Sequence, residues 1–174
     1  LSNNPQMFPS CTSLLTASLP LYPTLLRLHL DYNNMNASSV VAFAEIIPIC
    51  RNLNYLSLLG NNLDQVCCRS LALAVKKSKT LISLDYDNKV ANDFEWFPKK
   101  ISIYTLQNME HEIQRLKEIN SATPDDPATK SLSSQSPKTD SISEIQKEMG
   151  ILLTKDLPTS VFVQRSHALI DRIN

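Results

Sequence analysis

The chain has 174 residues, with 17 Lys or Arg against 17 Asp or Glu, so its formal net charge is zero. A neutral chain has no overall attraction to nucleic acid or to an anionic membrane surface, and we expect neither as a partner. No apolar run approaches the roughly 20 residues that span a bilayer, and the length suits one ordinary domain with appendages.

The first predicted element is a strand that recurs 28 residues further along the chain. The positions that repeat are Leu25, Leu28, Leu30, Asn33 and Met35, then Leu53, Leu56, Leu58, Asn61 and Leu63, with Leu81 and Leu84 opening a third copy. Each Leu-x-x-Leu-x-Leu stretch ends in the period-two alternation of a half-buried strand. The pattern therefore predicts buried leucines, with His29 and Ser57 between them exposed.

A returning helix is predicted after each strand. Phe43 and Ile47 match Leu71 and Val75 at the same offset, with helical spacing. A single strand–helix unit cannot bury its apolar face, so such units stack. The offset also lands backwards in residues 1–22, which fit the second half of an earlier repeat. Because a solenoid needs a capped first repeat, we expect further repeats upstream.

The run Asn52-Leu53-x-x-Leu56-x-Leu58-x-x-Asn61-x-Leu63 resembles the ribonuclease-inhibitor class of leucine-rich repeats, over residues 1 to about 90. The resemblance implies an α/β solenoid in which the asparagine side chain bonds backbone groups at the turn. Two positions depart from the class, since Ser39 and Cys67 stand where glycine is usual. The third copy has no clear helix directly behind it.

A second resemblance rests on the run Leu81–Asp87 and the stretch Leu106–Glu110. Together they resemble the end of cytoplasmic leucine-rich-repeat proteins related to regulatory subunit 37 of protein phosphatase 1, and fungal cell-wall-biogenesis relatives look similar. This resemblance implies a regulator or scaffold. The phosphatase-docking pattern is absent, because Lys100-Ile101-Ser102-Ile103 lacks the final aromatic residue.

A capping helix over 101–118 is predicted to close the solenoid, so residues 1–118 form the first domain. Its apolar positions, Ile101, Thr105, Met109 and Ile113, have helical spacing. Just before it stand Phe94, Trp96 and Phe97, which serve either to close the core or to anchor a partner. We favour core closure, since a terminal repeat needs large side chains to cover its open end.

Two further segments follow. Residues 119–140 are rich in Ser, Thr, Pro and Asp and are predicted to be a disordered linker, with Thr123 and Ser136 as candidate phosphorylation sites before prolines. Residues 141–174 are predicted to be a short helical tail. Its stripe comprises Ile142, Ile145, Met149, Leu152, Phe162, Leu169 and Ile173. This stripe either folds back on the solenoid or awaits a partner's groove.

The sequence offers little chemistry. The four cysteines, Cys11, Cys50, Cys67 and Cys68, lie in apolar, helix-like stretches, which predicts free thiols in a reducing compartment, the cytoplasm. The three histidines, His29, His111 and His167, have no second ligand at metal spacing. With no phosphate loop and no nucleophile elbow, we expect no enzyme activity, cofactor, metal or small-molecule substrate.

Repeat solenoids present their concave strand face as a recognition surface, so we expect a protein partner there. The predicted partner-binding residues form three columns: Arg27, Tyr55 and Ser83; His29, Ser57 and Asp85; Asp31, Leu59 and Asp87. Aromatic, basic and acidic groups together suit a protein partner. The alternative is a GTPase activator of the Ran activator type, which shares the repeat class. A GTP-hydrolysis assay separates the two.

Overall fold

The structure, a computed structural model, describes residues 1–122, 139–154, 161, 164–166 and 168–169. Three short strands, β1 (Arg27–His29), β2 (Tyr55–Ser57) and β3 (Ser83–Asp85), form one parallel sheet in that order. Each strand pairs with the next at a shift of 28 residues, since Arg27 lies opposite Tyr55 and Tyr55 opposite Ser83. Parallel neighbours need a crossover connection, and helices provide it.

The helices are α1 (Thr12–Ser18), α2 (Ala37–Ile46), α3 (Gln65–Lys77), α4 (Asn88–Asp93), α5 (Trp96–Ala122) and α6 (Thr139–Thr154). The chain crosses from β1 to β2 through α2 and from β2 to β3 through α3, so strand and helix alternate. The short helix α4 follows β3 directly. The expectation that no helix stands behind the third copy was therefore wrong.

The core lies between the sheet and the helices. Leu28, Leu56 and Leu84 are 6%, 0% and 4% exposed, and Leu30 and Leu58 are also buried, so the predicted inward register is confirmed. These side chains belong to one apolar cluster with Phe43 of α2 and with Leu71 and Val75 of α3. The alternation therefore leaves the intervening strand residues on the side of the sheet away from the helices.

Buried asparagine side chains join neighbouring units at the turn after each strand. The Asn61 carboxamide oxygen accepts hydrogen bonds from the backbone N–H groups of Asn33 (3.3 Å) and Met35 (3.1 Å). Its nitrogen donates to the carbonyl of Leu30 at 2.9 Å and to that of Leu58 at 3.1 Å. Asn33 repeats this role towards the start of the chain, accepting from the Asn4 N–H at 2.8 Å.

Helix α5 is longer than the predicted 101–118, because it begins at Trp96 and continues to Ala122. Phe97 is fully buried at its start, with its ring centroid 4.9 Å from that of Tyr86. The aromatic cluster thus helps to close the core, as favoured above. The Asn108 side chain donates to the carbonyls of Val75 (3.0 Å) and Leu81 (2.8 Å) and so ties α5 to the last repeat.

The tail residues that the structure describes fold back onto α5. Ile145, Met149 and Leu152 of α6, with Leu169, join a second apolar cluster with Ile82 and with Leu106, Met109 and Ile113 of α5. Of the two alternatives for this stripe, the structure supports packing within the chain. The side chain of Ile142, residues Phe162 and Ile173, and the candidate phosphorylation sites Thr123 and Ser136 lie outside the described residues.

Candidate functional site

The nine predicted partner-binding residues come together on the side of the sheet away from the helices, which we call the strand face. Arg27 and His29 are exposed there. Six others are partly covered: Asp31, Tyr55, Leu59, Ser83, Asp85 and Asp87. The ninth, Ser57, is only 1% exposed, which contradicts the prediction that it is open to solvent.

An aromatic and two basic side chains form the centre of the strand face. The Arg27 guanidinium carbon lies 4.2 Å from the centroid of the Tyr55 ring, within the range of a cation–π contact. The His29 and Tyr55 ring centroids are 5.0 Å apart, with their planes inclined by 45°. Tyr55 of β2 is thus packed by two side chains of β1, one on each side of Leu28 in the sequence. The three form a small preassembled patch.

The Tyr55 hydroxyl is fixed by the third strand. It donates a 2.6 Å hydrogen bond to Oδ2 of Asp85. Burial is the main cause of a raised pKa at Tyr55, and the hydrogen bond and negative charge of Asp85 raise it further, against smaller lowering effects of Ser57 and Arg27. The phenol is therefore held neutral, as a donor whose ring remains available beside Arg27.

Ser57 is covered by the carboxylate of the preceding unit. Its hydroxyl donates to Oδ1 of Asp31, which also accepts the backbone N–H of Leu59 at 3.0 Å. Ser2 donates to the other oxygen, Oδ2, at 3.3 Å. The alternation rule failed here because it treats a strand in isolation, whereas this hydroxyl lies under a neighbouring side chain. Ser57 is thus a contact between strands.

The remaining acidic residues also serve the fold. Both carboxylate oxygens of Asp87 accept the backbone N–H of Gly60, at 3.1 and 3.0 Å. His29 Nδ1 lies 3.7 Å from Asp31 Oδ2, close enough for an ion pair when the imidazole is protonated. The acidic side chains are therefore occupied within the chain, and the basic and aromatic ones are the freer part of the strand face.

The cysteines are structural in character. All four are free thiols, so the prediction of free thiols at Cys50, Cys67 and Cys68 is confirmed. Burial raises the pKa of Cys67 to about 11 and that of Cys68 to about 12, which keeps both as unreactive thiols near neutral pH. Across the described ranges, no three His, Cys, Asp or Glu side chains group as metal ligands.

Comparison with known proteins agrees with this architecture. The family described as the MHP1/HER1/GIP3 LRR domain matches residues 1–61. The chain is 40% identical over 160 residues, 92% of its length, to MAP-homologous protein 1 of Saccharomyces cerevisiae. It is 31% identical over 62 residues, 36% of its length, to HMG2-induced ER-remodeling protein 1 of the same yeast.

These matches support a leucine-rich-repeat chain of fungal type. The small parallel sheet with helices between its strands fits a leucine-rich-repeat-like α/β fold. The matched segments span 10% of MAP-homologous protein 1 and 5% of HMG2-induced ER-remodeling protein 1. Neither name mentions a phosphatase or a GTPase, and neither supports those two hypotheses.

Two features of the site were missed by the sequence. The Asn108 amide, which bonds two carbonyls of the last repeat, carried no local signal, because a helix asparagine is normally exposed. The internal engagement of Asp31 and Asp87 was also missed, although their position just after the strands was a usable cue. No helix among the described residues is both long and apolar enough to cross a membrane.

Proposed function

We propose that this chain is a non-enzymatic protein-interaction module, built from strand–helix repeats of 28 residues in a solenoid, that binds a protein partner on its strand face. The observation that carries the proposal is the patch of Arg27, His29 and Tyr55. It combines an exposed guanidinium, an exposed imidazole and an aromatic ring held in place by Asp85.

This composition suits protein recognition. Arginine and tyrosine are enriched among residues that dominate binding energy at protein interfaces. Both side chains are already packed against each other, which reduces the conformational entropy lost on association. The neighbouring acidic groups are engaged within the chain, so the patch presents a net positive charge to a partner. We therefore expect the partner's contact surface to be acidic with apolar character.

The cellular setting follows from the thiols. Four free cysteines, three of them buried, suit a reducing compartment, and we propose the cytoplasm. The family match of the first 61 residues is consistent with protein interaction, the common use of such repeats.

The test compares two charge reversals in the longest natural protein that contains this chain, followed by quantitative affinity purification from its native cells. Arg27→Glu places a repelling charge on the strand face. Arg69→Glu makes the same change in net charge on α3, at another exposed arginine. We expect at least one bound protein to fall about tenfold with Arg27→Glu and to stay within twofold with Arg69→Glu. Equal binding to both variants contradicts the proposal.

A further inference from the structure

A groove of about 440 Å³ lies away from the strand-face patch, at the edge of the sheet where the strands begin. The turns before β2 and β3 form one wall, and the middle of α5 forms the other. Three cationic side chains line it, Arg51, Lys79 and Arg115. None of them belongs to the strand face, so any ligand bound here is separate from the partner proposed above.

The repeat brings two of these cations together. Arg51 and Lys79 precede β2 and β3 by the same number of residues, because Tyr55 pairs with Ser83. Paired strands lie about 4.8 Å apart, so equivalent positions on adjacent units are close neighbours. Both side chains are exposed, and within the described ranges neither forms an ion pair. Two like charges at this spacing repel each other until an anion lies between them.

The third cation is already neutralised. Arg115 grips Glu112 through two hydrogen bonds, from Nε at 2.8 Å and from Nη2 at 2.5 Å. Glu112 is the one carboxylate among the described lining residues, and this pairing leaves it unavailable to Arg51 and Lys79. The groove therefore carries two uncompensated positive charges in a chain whose formal net charge is zero.

The remaining lining indicates the kind of ligand. Leu26 is 53% exposed beside the cations and offers an apolar contact. The amide of Asn52 and the hydroxyl of Thr80 are both used as donors to backbone carbonyls, so the cations are the principal donors left for a ligand. Two cations beside an apolar side chain suit an acidic peptide. A nucleic-acid site needs a longer row of phosphate contacts.

We propose that this groove binds an acidic segment of a partner protein, with carboxylate or phosphoserine oxygens on Arg51 and Lys79 and an adjacent apolar side chain on Leu26. Guanidinium and ammonium groups form charge-assisted hydrogen bonds to both kinds of oxygen. The site uses a different surface from the strand face, so either can fail without the other.

The test is a titration of the 174-residue chain, followed by NMR of its backbone amides. The probes are a nonapeptide with three central glutamates and a flanking leucine, the same peptide with phosphoserine, and a neutral version with glutamine. We expect both acidic peptides to shift the amides of residues 51–54 and 79–80 saturably, and the neutral peptide to bind at least about tenfold more weakly.

Two matched variants locate the effect. Arg51→Gln with Lys79→Gln removes both groove cations and should weaken the acidic peptides about tenfold. Arg69→Gln with Lys89→Gln removes the same charge from exposed positions elsewhere and should leave binding within twofold. All four side chains are exposed, so we expect thermal midpoints close to that of the parent chain.

Three outcomes overturn the proposal. The first is no shift with either acidic peptide at millimolar concentration. The second is equal loss of binding in both double variants, which would show only a general charge effect. The third is a competitor that binds the same amides more tightly than the peptides: inorganic phosphate would indicate a small-anion site, and a thymidine oligonucleotide would indicate nucleic acid.

Discussion

At the scale of single residues, hydrogen bonding between units concentrates on a few buried polar side chains. Asn61 is 1% exposed, and its carboxamide contacts backbone groups of its own turn and of the preceding one. A buried polar group without a partner is costly, so the carboxamide and the backbone groups around it depend on each other. Each turn therefore holds its neighbour at a fixed register.

The first prediction concerns this asparagine. Asn61→Ala leaves the Asn33 and Met35 N–H groups and the Leu30 carbonyl without these bonds. With each unsatisfied buried group costing roughly 1–3 kcal/mol, we expect unfolding free energy to fall by about 3 kcal/mol. The control is Asn62→Ala, at an exposed neighbour, which should change it by less than about 0.5 kcal/mol. Similar losses in urea titrations of the two variants would contradict this role.

The two glycines of the chain should respond in opposite ways to alanine. Gly60 has φ +66°, and a Cβ there would lie 2.2 Å from Cδ1 of Tyr32. Gly150 lies inside α6 with open space around it. We expect Gly60→Ala to cost about 1–2 kcal/mol and Gly150→Ala to gain about 0.4–1 kcal/mol.

Thermal or chemical denaturation measures both glycine variants. Adding Tyr32→Ala to Gly60→Ala removes the clash but keeps the backbone strain, so that double variant should recover part of the loss. A destabilised Gly150→Ala variant would show that α6 is not a regular helix at this point.

Residue-scale predictions from the sequence succeeded where burial follows from periodicity and failed where it depends on a neighbour. Leu28, Leu56 and Leu84 are buried as the alternation requires. Ser57 is also buried, because the side chain of Asp31 reaches it from the adjacent strand. A pattern along one strand contains no information about what an adjacent strand places above it.

At the scale of elements, the two repeat helices begin with side-chain caps of different chemistry. The Asn36 side chain accepts from the Ser39 N–H at 2.9 Å at the start of α2. The Asp64 carboxylate accepts from the Cys67 N–H at 2.8 Å at the start of α3. Chiefly because of this backbone hydrogen bond, the pKa of Asp64 is lowered from its ordinary 3.8. Only the second cap is sensitive to acid.

Removing each cap should therefore give a different pH dependence. At pH 6 we expect Asp64→Ala and Asn36→Ala each to cost about 1 kcal/mol. A carboxyl with a lowered folded-state pKa stabilises above its unfolded value, and this stabilisation is lost as pH falls through the folded value. The Asp64→Ala deficit should shrink below pH 3.8, whereas the Asn36→Ala deficit should persist. Parallel pH profiles from denaturant titrations would refute the assignment.

The packing of α6 on α5 supplies a further prediction. Met149 is 1% exposed in the second apolar cluster, and Ile151 on the same helix is 40% exposed. Met149→Ala should lower the unfolding free energy by about 2–5 kcal/mol, as for other buried truncations. Ile151→Ala should have an effect below about 0.5 kcal/mol. Matching thermal midpoints for these two variants would mean that α6 does not pack on α5 as described.

Element types were easier to predict than element ends. Strands and helices were expected from their periodicities, and β1, β2, α2 and α3 follow them. Helix α5 begins earlier than predicted because Phe97 is drawn into the core against Tyr86. The covering of α6 was left open because an apolar stripe fixes a helix face but not the surface that buries it.

At the scale of the whole molecule, one surface is held by its own polar contacts and still presents freer cationic and aromatic groups. Asp85 fixes the Tyr55 hydroxyl, while Arg27 and His29 lie exposed around its ring. The sequence indicated the columns of this face, but which members are free depends on bonds between strands. The identity of a partner is a property of complementary surfaces and could not be predicted from one chain.

The most direct test of the proposed function places a photoreactive benzoylphenylalanine at one exposed position at a time in the natural protein, within its native cells. Position 29 lies on the strand face, and position 73, an exposed leucine of α3, lies on the helical side. We predict that illumination links a discrete partner protein to position 29 and not to position 73. Adducts at position 73 alone, or none at either position, would contradict binding on the strand face.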